Sequence, residues 1–263
     1  MIRIGFIGTG NIATALIRNL KANGNYNLIS SDKNEEKLEK AEKELGIETT
    51  KNNKDLTEKS DIIFLCAKPK DINEILQEIK ESVENKIVIS IAAGITINSI
   101  EEIIGKNKKI VRVMPNINCT VGEMAAAYAY NENINKSDKE IINGILNKSG
   151  TAIEIKEEKM DCVTALSGSG PAFVAYVLDG FASAGEKQGL NKEDAYKLAL
   201  QTFFGTASLL KQKNISPEEL IKRVSSPGGT TVAGLEVFER LEIKKIIDET
   251  IKAAVERSKE LGK

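Results

Sequence analysis

Histidine is absent from this chain of 263 residues, and this absence excludes more chemistry than any other feature of the composition. Without histidine the protein cannot use Ser-His or Cys-His nucleophilic catalysis, histidine acid–base chemistry or the usual zinc sites. Cysteine is also scarce. Cys66, Cys119 and Cys162 are scattered and odd in number, which argues against a disulfide framework. No CxxC pair occurs, so no metal site is expected.

Long apolar runs and an excess of one charge are missing too. The 37 basic and 38 acidic residues leave a formal net charge of −1, so nothing favours a nucleic acid as partner. No apolar run approaches the roughly 18 to 20 residues of a membrane span, so no membrane partner is expected. The chain opens on a strand-like segment that leaves no room for a signal peptide, and the expected location is therefore cytoplasmic.

Short apolar runs alternate with amphipathic segments over the first part of the chain. The runs rich in Ile and Val are IRIGFIG, YNLISSD, DIIFLCA, KIVISIAAG and KIVRVMP, and AAAYAYNE and GTAIEI follow as further strands. Continuous apolar strands that alternate with helices indicate a parallel sheet covered on both faces. We therefore predict a Rossmann-like domain over residues 1–157.

Strand patterns end at about Lys156, and the rest of the chain, residues 158–263, is predicted to be an all-helical domain. Its long helices are rich in small residues, and one begins with Ser216 as N-cap and proline at its first position. Apolar positions spread around several of these helices. This distribution favours an intertwined homodimer over tight packing within one chain.

The segment GTGNIA, Gly8 to Ala13, follows the first strand and opens the first helix. Gly8 allows the tight turn, Gly10 lets a pyrophosphate approach the backbone, and Ala13 is small enough for helix–strand packing. Free amides and the helix dipole then favour the pyrophosphate. The pattern predicts dinucleotide binding, with a tight strand–helix turn as the alternative.

The end of the second strand bears on which dinucleotide is bound. Asp32 lies about 20 residues past the glycine turn, where an acid binds a ribose 2′-hydroxyl and selects NAD. Ser30, Ser31 and Lys33 beside it could instead contact a 2′-phosphate, and Asp32 could cap the next helix. NADH and NADPH both stay open.

Later strand ends add further candidates at the carboxyl edge of the sheet, where open α/β sheets bind ligands. Cys66–Pro69 and Ser90–Gly94 follow two of the strands and contain small residues that let a cofactor lie against the backbone. Lys68 either faces solvent or contacts the cofactor. Asn116 either positions the nicotinamide end or simply belongs to the turn that Pro115 makes.

Five motifs stand in order along the chain: GTGNIA, AKP, MPN, DCVTALSGSGPAF and VSSPGGTTVAG. Together they resemble the pyrroline-5-carboxylate reductases over nearly the whole length. The resemblance implies a Rossmann-like domain, a helical dimerisation domain and an active site shared between protomers, and it leaves open a ring of dimers. The implied reaction is hydride transfer from NADPH or NADH to the cyclic imine 1-pyrroline-5-carboxylate, which gives L-proline in the last step of proline biosynthesis.

Matching motif to motif assigns residues to two ligands. The implied cofactor-binding residues are Gly8, Gly10, Asn11, Ile12, Asn53, Ala67, Lys68, Pro69, Ala92 and Ala93. Thr9 in the glycine turn and Asp32 after the second strand complete the predicted cofactor site. The implied residues of the substrate carboxylate site are Ser226, Gly229, Thr230 and Thr231.

Two departures from the family pattern matter. Ile117 and Asn118 follow MPN where the family usually continues Thr-Pro, which puts the loop on the nicotinamide side in doubt. Asp32 stands where many members have Ser or Asn, so the NADPH preference common in the family does not carry over directly.

The chemistry suits a chain without histidine. A cyclic imine can bind its proton before the hydride arrives, so the protein needs no strong general acid. The segment SSPGGTT, immediately before a helix, offers successive amides and hydroxyls for an anion. Thr231 is the candidate hydroxyl near the imine nitrogen, as proton donor or polar orienter.

Each of these assignments has an alternative. SSPGGTT could be a helix start with a threonine N-cap, and in SGSGPAF Ser169 either caps the long helix or contributes to the site. A β-hydroxyacid dehydrogenase-like enzyme would need a lysine in the helical domain, and none occurs between Lys159 and Lys187. A regulator that binds NAD(P) without turnover is the third hypothesis.

Overall fold

The computed structural model describes residues 1–262 and contains one eight-stranded sheet. Its strands are β1 (Arg3–Ile7), β2 (Asn27–Ser31), β3 (Glu48–Thr50), β4 (Ile62–Leu65), β5 (Ile87–Ser90), β6 (Lys109–Met114), β7 (Met124–Tyr130) and β8 (Gly150–Glu154). The α-helices are α1 (Asn11–Asn23), α2 (Glu35–Leu45), α3 (Asn53–Lys59), α4 (Pro69–Ile79), α5 (Ile97–Ile104), α6 (Lys136–Leu146), α7 (Met160–Val163), α8 (Gly170–Lys187), α9 (Lys192–Lys213), α10 (Pro217–Val224), α11 (Thr230–Arg240) and α12 (Ile243–Leu261).

The strand order is β3-β2-β1-β4-β5-β6-β7-β8, and every neighbouring pair is parallel except β6 and β7. The Rossmann-like sheet predicted from the apolar runs is therefore confirmed. Strand β3 is missing from the prediction because its three residues, Glu48–Thr50, carry no apolar side chain. The antiparallel β7 needs no helical crossover, so only a short loop separates it from β6.

Strand β4 shows why the sheet is covered on both faces. All four of its residues are buried, and alternate side chains point to opposite sides. Ile62 and Phe64 belong to the core cluster that also contains residues of α1, α2 and α6. Ile63 belongs to the cluster on the other face, with residues of α3, α4 and α5. The Phe64 ring stacks on Phe6 with centroids 4.8 Å apart.

Helix boundaries follow local sequence signals. The side chain of Asn34 accepts a hydrogen bond from the Lys37 amide and begins α2, which ends at Gly46 in the left-handed region (φ 57°). The predicted start of α10 is confirmed, since Ser216 accepts from the Glu219 amide and Pro217 is the first helical residue.

The segment that follows β8 is fixed to the sheet by one carboxylate. Oε1 of Glu157 accepts hydrogen bonds from the Ile97 amide at 2.8 Å and from Nη1 of Arg112 at 3.1 Å. The Arg112 side chain is only 11% exposed, and a charge so little hydrated requires a partner. Glu157 therefore holds the start of α5 and the middle of β6 together.

The chain forms two compact units, residues 1–169 with 254–262, and residues 170–253. The second unit is helical, and Phe181 makes edge contacts with Phe203 and Phe238 inside it. Many of its large apolar side chains remain exposed, among them Val174, Tyr176, Phe204, Leu241 and Ile246. The division at residues 157 and 158 stays a prediction. Within residues 1–262, no helix has both the length and the apolar character to cross a membrane.

Candidate active site

The glycine turn between β1 and α1 has the backbone that a pyrophosphate needs. Gly8 has φ +97°, and a Cβ there would lie 2.9 Å from the carbonyl carbon and oxygen of Cys66, so only glycine fits. Gly10 precedes α1 as its N-cap, and a Cβ on it would meet no described atom within 4 Å. The turn is therefore tight on the protein side and open on the side from which a ligand approaches.

The N-terminus of α1 is available to an anion. No described side chain caps this helix of 13 residues, and its first turn contains no acidic residue. The first helical hydrogen bond runs from the Thr14 amide to Gly10, which leaves the amides of Asn11, Ile12 and Ala13 without a partner among residues 1–262. These donors and the helix dipole suit the pyrophosphate of a dinucleotide.

Asp32 is held by the glycine turn itself. Its carboxylate accepts from the Thr9 amide and from the Asn34 amide, both at 2.9 Å, and lies 3.4 Å from Nζ of Lys37. Burial raises the pKa of Asp32, but these hydrogen bonds and the Lys37 charge outweigh it and lower the pKa overall. The alternative that Asp32 caps α2 is wrong, because Asn34 occupies that position.

Of the three candidates for a 2′-phosphate contact at the end of β2, only Lys33 is exposed. Ser30 and Ser31 are fully buried. The Ser31 hydroxyl donates to Oδ1 of Asn53 at 2.7 Å, and Nδ2 of Asn53 donates to Glu78 at 2.7 Å. The side-chain amide of Asn53 is therefore held with its oxygen toward Ser31 and its nitrogen toward Glu78. Nζ of Lys33 lies 3.3 Å from the Glu74 carboxylate.

A crevice of about 380 Å³ brings several predicted residues together, all within the first unit. The predicted cofactor residues that line it are Gly8, Gly10, Asp32, Asn53, Ala67 and Lys68. Thr9 and Asn11 line a neighbouring cavity of about 520 Å³ that shares Gly10 and Lys37 with the crevice. The other predicted residues stand outside both linings: Ile12 in the first turn of α1, Pro69 at the start of α4, and Ala92 and Ala93 after β5.

Sequence reasoning missed three charged residues of the crevice: Lys37, Lys70 and Asp71. They lie in the first turns of α2 and α4, beyond the strand ends that the motifs mark. Four lysines and two aspartates line the crevice, so its charge favours an anionic ligand. Cys66 also lines it, and burial raises the pKa of its thiol, which keeps the sulfur neutral.

The loop after MPN is anchored from within. Asn116 is buried, its Oδ1 accepts from the Ala125 amide at 3.1 Å, and its Nδ2 donates to the Ser167 carbonyl at 3.0 Å. Nδ2 of Asn19 in α1 donates to the carbonyl of Cys119 at 2.8 Å, and the Cys119 side chain is buried in the core. These contacts define a short 3-10 segment over Ile117–Val121 without the Thr-Pro of the family pattern. The side chain of Asn116 thus connects the start of β7 at Ala125 to the backbone of Ser167.

The segment SSPGGTT in the second unit forms an open helix start. Gly228 has φ +70°, and the Gly229 amide donates to the Ser226 carbonyl at 2.9 Å. The expected threonine N-cap is wrong, because Gly229 is the N-cap and Thr230 is the first residue of α11. No described side chain caps α11, so the amides of Thr230, Thr231 and Val232 stay free for a ligand.

Ser225 was not among the predicted residues. Its Oγ is buried and has no hydrogen-bond partner among the described residues, which is rare for a buried hydroxyl. The doubled serine in the sequence was a usable signal, since small hydroxyl residues beside a glycine turn often take part in anion binding.

Comparison with known proteins covers the whole chain. Residues 157–261 match the family described as pyrroline-5-carboxylate reductase dimerisation, and residues 3–94 match the NADP oxidoreductase family described as coenzyme F420-dependent. The pyrroline-5-carboxylate reductase of Aquifex aeolicus is 40% identical over 99% of this chain and 97% of its own. The structure of the Coxiella burnetii enzyme has a TM-score of 0.95 and 34% identity, and covers 99% of this chain and 98% of its own. The Plasmodium falciparum enzyme, solved with NADP bound, has a TM-score of 0.86 and 35% identity, and covers 100% of this chain and 98% of its own.

Proposed function

Because this chain belongs to the pyrroline-5-carboxylate reductase family, we propose that it reduces 1-pyrroline-5-carboxylate to L-proline with a hydride from a nicotinamide cofactor. The observation that carries the proposal is the uncapped start of α11 within SSPGGTT, with three free amides and, in the same segment, the unpartnered Ser225 hydroxyl. A dinucleotide-binding fold alone does not require this second anion site. A substrate that carries a carboxylate does.

We propose that the cofactor is held by the glycine turn and the crevice. The open position at Gly10 and the three free amides of α1 fit a pyrophosphate, and the small side chain of Ala67 leaves room beside the strand end. When bound, the cofactor supplies the hydride. The protein's own task there is to orient the dinucleotide and to offset its phosphate charge.

NADPH is the proposed form of the cofactor. The rule that an acid after β2 selects NAD assumes a carboxylate turned toward the ribose. Here the Asp32 carboxylate is engaged by the Thr9 and Asn34 amides, and Lys37 offsets its charge. Lys33 and Lys37 stand beside it as cations for a 2′-phosphate. The Plasmodium falciparum relative was solved with NADP bound, which supports the same assignment here.

We propose that the substrate carboxylate is bound at the start of α11, by the amides of Thr230 and Thr231 and by the hydroxyls of Ser226 and Thr231. The N-terminus of a helix of 11 residues favours a negative charge. A Cβ on Gly229 would lie 2.6 Å from the Ser226 hydroxyl oxygen, so a side chain there would displace this proposed ligand. The Thr231 hydroxyl is the proposed partner of the imine nitrogen, as donor or orienter of its proton.

The family match over residues 157–261 supports a homo-oligomer. We propose that the basic assembly is a dimer formed by the helical unit, in which a partner covers exposed apolar residues such as Tyr176 and Phe204. A ring of dimers and a cytoplasmic location stay predictions.

Oxidation of the cofactor with 1-pyrroline-5-carboxylate, measured separately with NADPH and NADH, tests the reaction. We expect turnover with both cofactors and a higher kcat/KM with NADPH. Measurable cofactor binding without turnover in either case would favour the alternative of a regulator that senses NAD(P).

A further inference from the structure

The motif SGSGP places a proline where the chain is helical on both sides. Helix α7 runs into a π turn over Thr164–Gly168, and α8 begins at Gly170. Ser169 between them has helical backbone angles (φ −83°, ψ −21°), and its amide donates to the Thr164 carbonyl at 2.9 Å. Ser169 is therefore not an N-cap of the long helix, and that alternative is wrong.

Pro171 leaves one carbonyl of this region without its usual partner. In α-helical register the amide of residue 171 would donate to the carbonyl of Ser167, four residues earlier. Proline has no N–H, and its ring crowds that same carbonyl. A wider turn immediately before the proline, such as the π turn here, is a known way for a helix to accommodate such a defect.

The missing donor is supplied from the sheet. Nδ2 of Asn116, two residues past the end of β6, donates to the Ser167 carbonyl at 3.0 Å. Its Oδ1 accepts from the Ala125 amide at 3.1 Å, so the orientation of the side-chain amide is determined by both partners. Asn116 is only 5% exposed, so water cannot readily replace it.

We propose that Asn116 is a positioning residue whose side-chain amide takes the place of the N–H that Pro171 lacks, and that it thereby holds the π turn against the carboxyl end of β6. The MPN and SGSGP motifs are then two halves of one contact. A second contact lies beside it, because a Cβ on Gly168 would come within 2.7 Å of Cε of Met114, the last residue of β6.

This inference rests on the proposed function in one respect. The π turn and the loop after Asn116 stand at the edge of the sheet that carries the glycine turn and the crevice. Within the described chain the Asn116 side chain makes no hydrogen bond to Gly8, Asp32 or Asn53, and it does not line the crevice. Its loss should therefore lower kcat for imine reduction and leave NADPH affinity nearly unchanged.

The test is a double-mutant cycle between Asn116→Ala and Pro171→Ala, because alanine at 171 restores a backbone N–H. In the native background, Asn116→Ala should shift the folding equilibrium roughly 10- to 100-fold toward the unfolded state, because the partly buried Ser167 carbonyl loses its donor. In the Pro171→Ala background the same change should cost at least about fivefold less. The loss of kcat caused by Asn116→Ala should likewise be smaller in the Pro171→Ala background than in the native one. The dissociation constant for NADPH should stay within about twofold in all variants.

Asn118→Ala is the matched control, since Asn118 lies two residues away and its side chain has no hydrogen-bond partner among residues 1–262. The loss of unfolding free energy caused by Asn118→Ala should be equal in the native and the Pro171→Ala backgrounds. Asn116→Asp is the second variant, because it keeps the acceptor for Ala125 but replaces the donor with a carboxylate oxygen that repels the Ser167 carbonyl, so in the native background it should cost more than Asn116→Ala. Equal costs of the Asn116 changes in both backgrounds, or no folded protein in either, would overturn the proposal. A wild-type protein without reductase activity but with a coupled stability cycle would refute only the proposed function.

Discussion

Replacement of Asp32 with asparagine should destabilise the protein by about 2 kcal/mol at pH 7, because the carboxylate accepts two backbone hydrogen bonds that one amide oxygen cannot both accept. Thr9 donates to one carboxylate oxygen and Asn34 to the other, so one of these amides would face an NH2 group in the variant. A hydrogen bond to a charged group contributes about 1.5 to 3 kcal/mol. The ion pair with Lys37 adds at most about 1 kcal/mol, since the lysine side chain is 50% exposed.

The cost of Asp32→Asn should depend on pH. The pKa of Asp32 is lowered in the folded protein, so the carboxylate contributes its full stability above its unfolded pKa of about 3.9. That contribution is lost as the pH falls through the lower folded-state pKa. Asparagine does not titrate. The difference in unfolding free energy between the two proteins should therefore be constant near neutral pH and should decrease toward zero as the pH is lowered.

Urea unfolding at a series of pH values measures this difference directly. Asp71→Asn is the matched control, because Asp71 lines the same crevice but its side chain accepts no hydrogen bond within the described chain. As an acid in the first turn of α4, Asp71 should account for less than about 1 kcal/mol. If Asp32→Asn costs no more than Asp71→Asn at pH 7, or if its cost does not fall as the pH is lowered below the unfolded pKa, the carboxylate does not anchor the glycine turn.

Three further outcomes are expected. Thr231→Ala should lower kcat/KM for the imine by roughly 100-fold and leave NADPH affinity unchanged, with Thr231→Ser restoring most of the rate; equal loss of cofactor affinity would mean that the loop is only structural. Lys37→Ala should raise the KM for NADPH roughly 3- to 10-fold and that for NADH less, as steady-state kinetics with both cofactors would measure; equal changes would contradict a 2′-phosphate contact. Sedimentation should give a dimer mass for the wild-type protein and a lower mass for Phe204→Glu, whereas a wild-type monomer at every concentration would refute the dimer.

Much of the first unit could be predicted from its sequence because its signals are local and repeated. Apolar runs such as Ile62–Leu65 place two residues in each face of the core, so a helix–strand alternation and a covered sheet follow directly. The glycine turn is equally local, since the backbone of the turn requires glycine at Gly8, and Gly10 two residues later leaves space for a ligand. The short β3 was missed because its pairing with β2 depends on backbone hydrogen bonds and carries no apolar pattern.

The partners of individual polar side chains could not be predicted. Asp32 looked like a ribose ligand or a helix cap, and only the folded chain brings the Thr9 amide to it from 23 residues away. Asn116 was assigned to the nicotinamide end or to a turn, and its partner Ser167 is 51 residues away. Contacts at such separations depend on which elements become neighbours in space, and the residue types in one segment do not specify this.

The carboxylate of Glu157 has a consequence for the order of folding. It joins the Ile97 amide and the Arg112 guanidinium across separations of 60 and 45 residues, so it can bind only after β5 and β6 have paired. The first turn of α5 and the segment that leads into α7 should consequently become protected from hydrogen exchange together, and later than the centre of the sheet. Refolding with pulsed deuterium labelling would detect this as one late step, and early protection of α7 alone would contradict it. Docking of the segment that leads into α7 is thus conditional on the pairing of β5 with β6, although the residues that dock are far apart in the sequence.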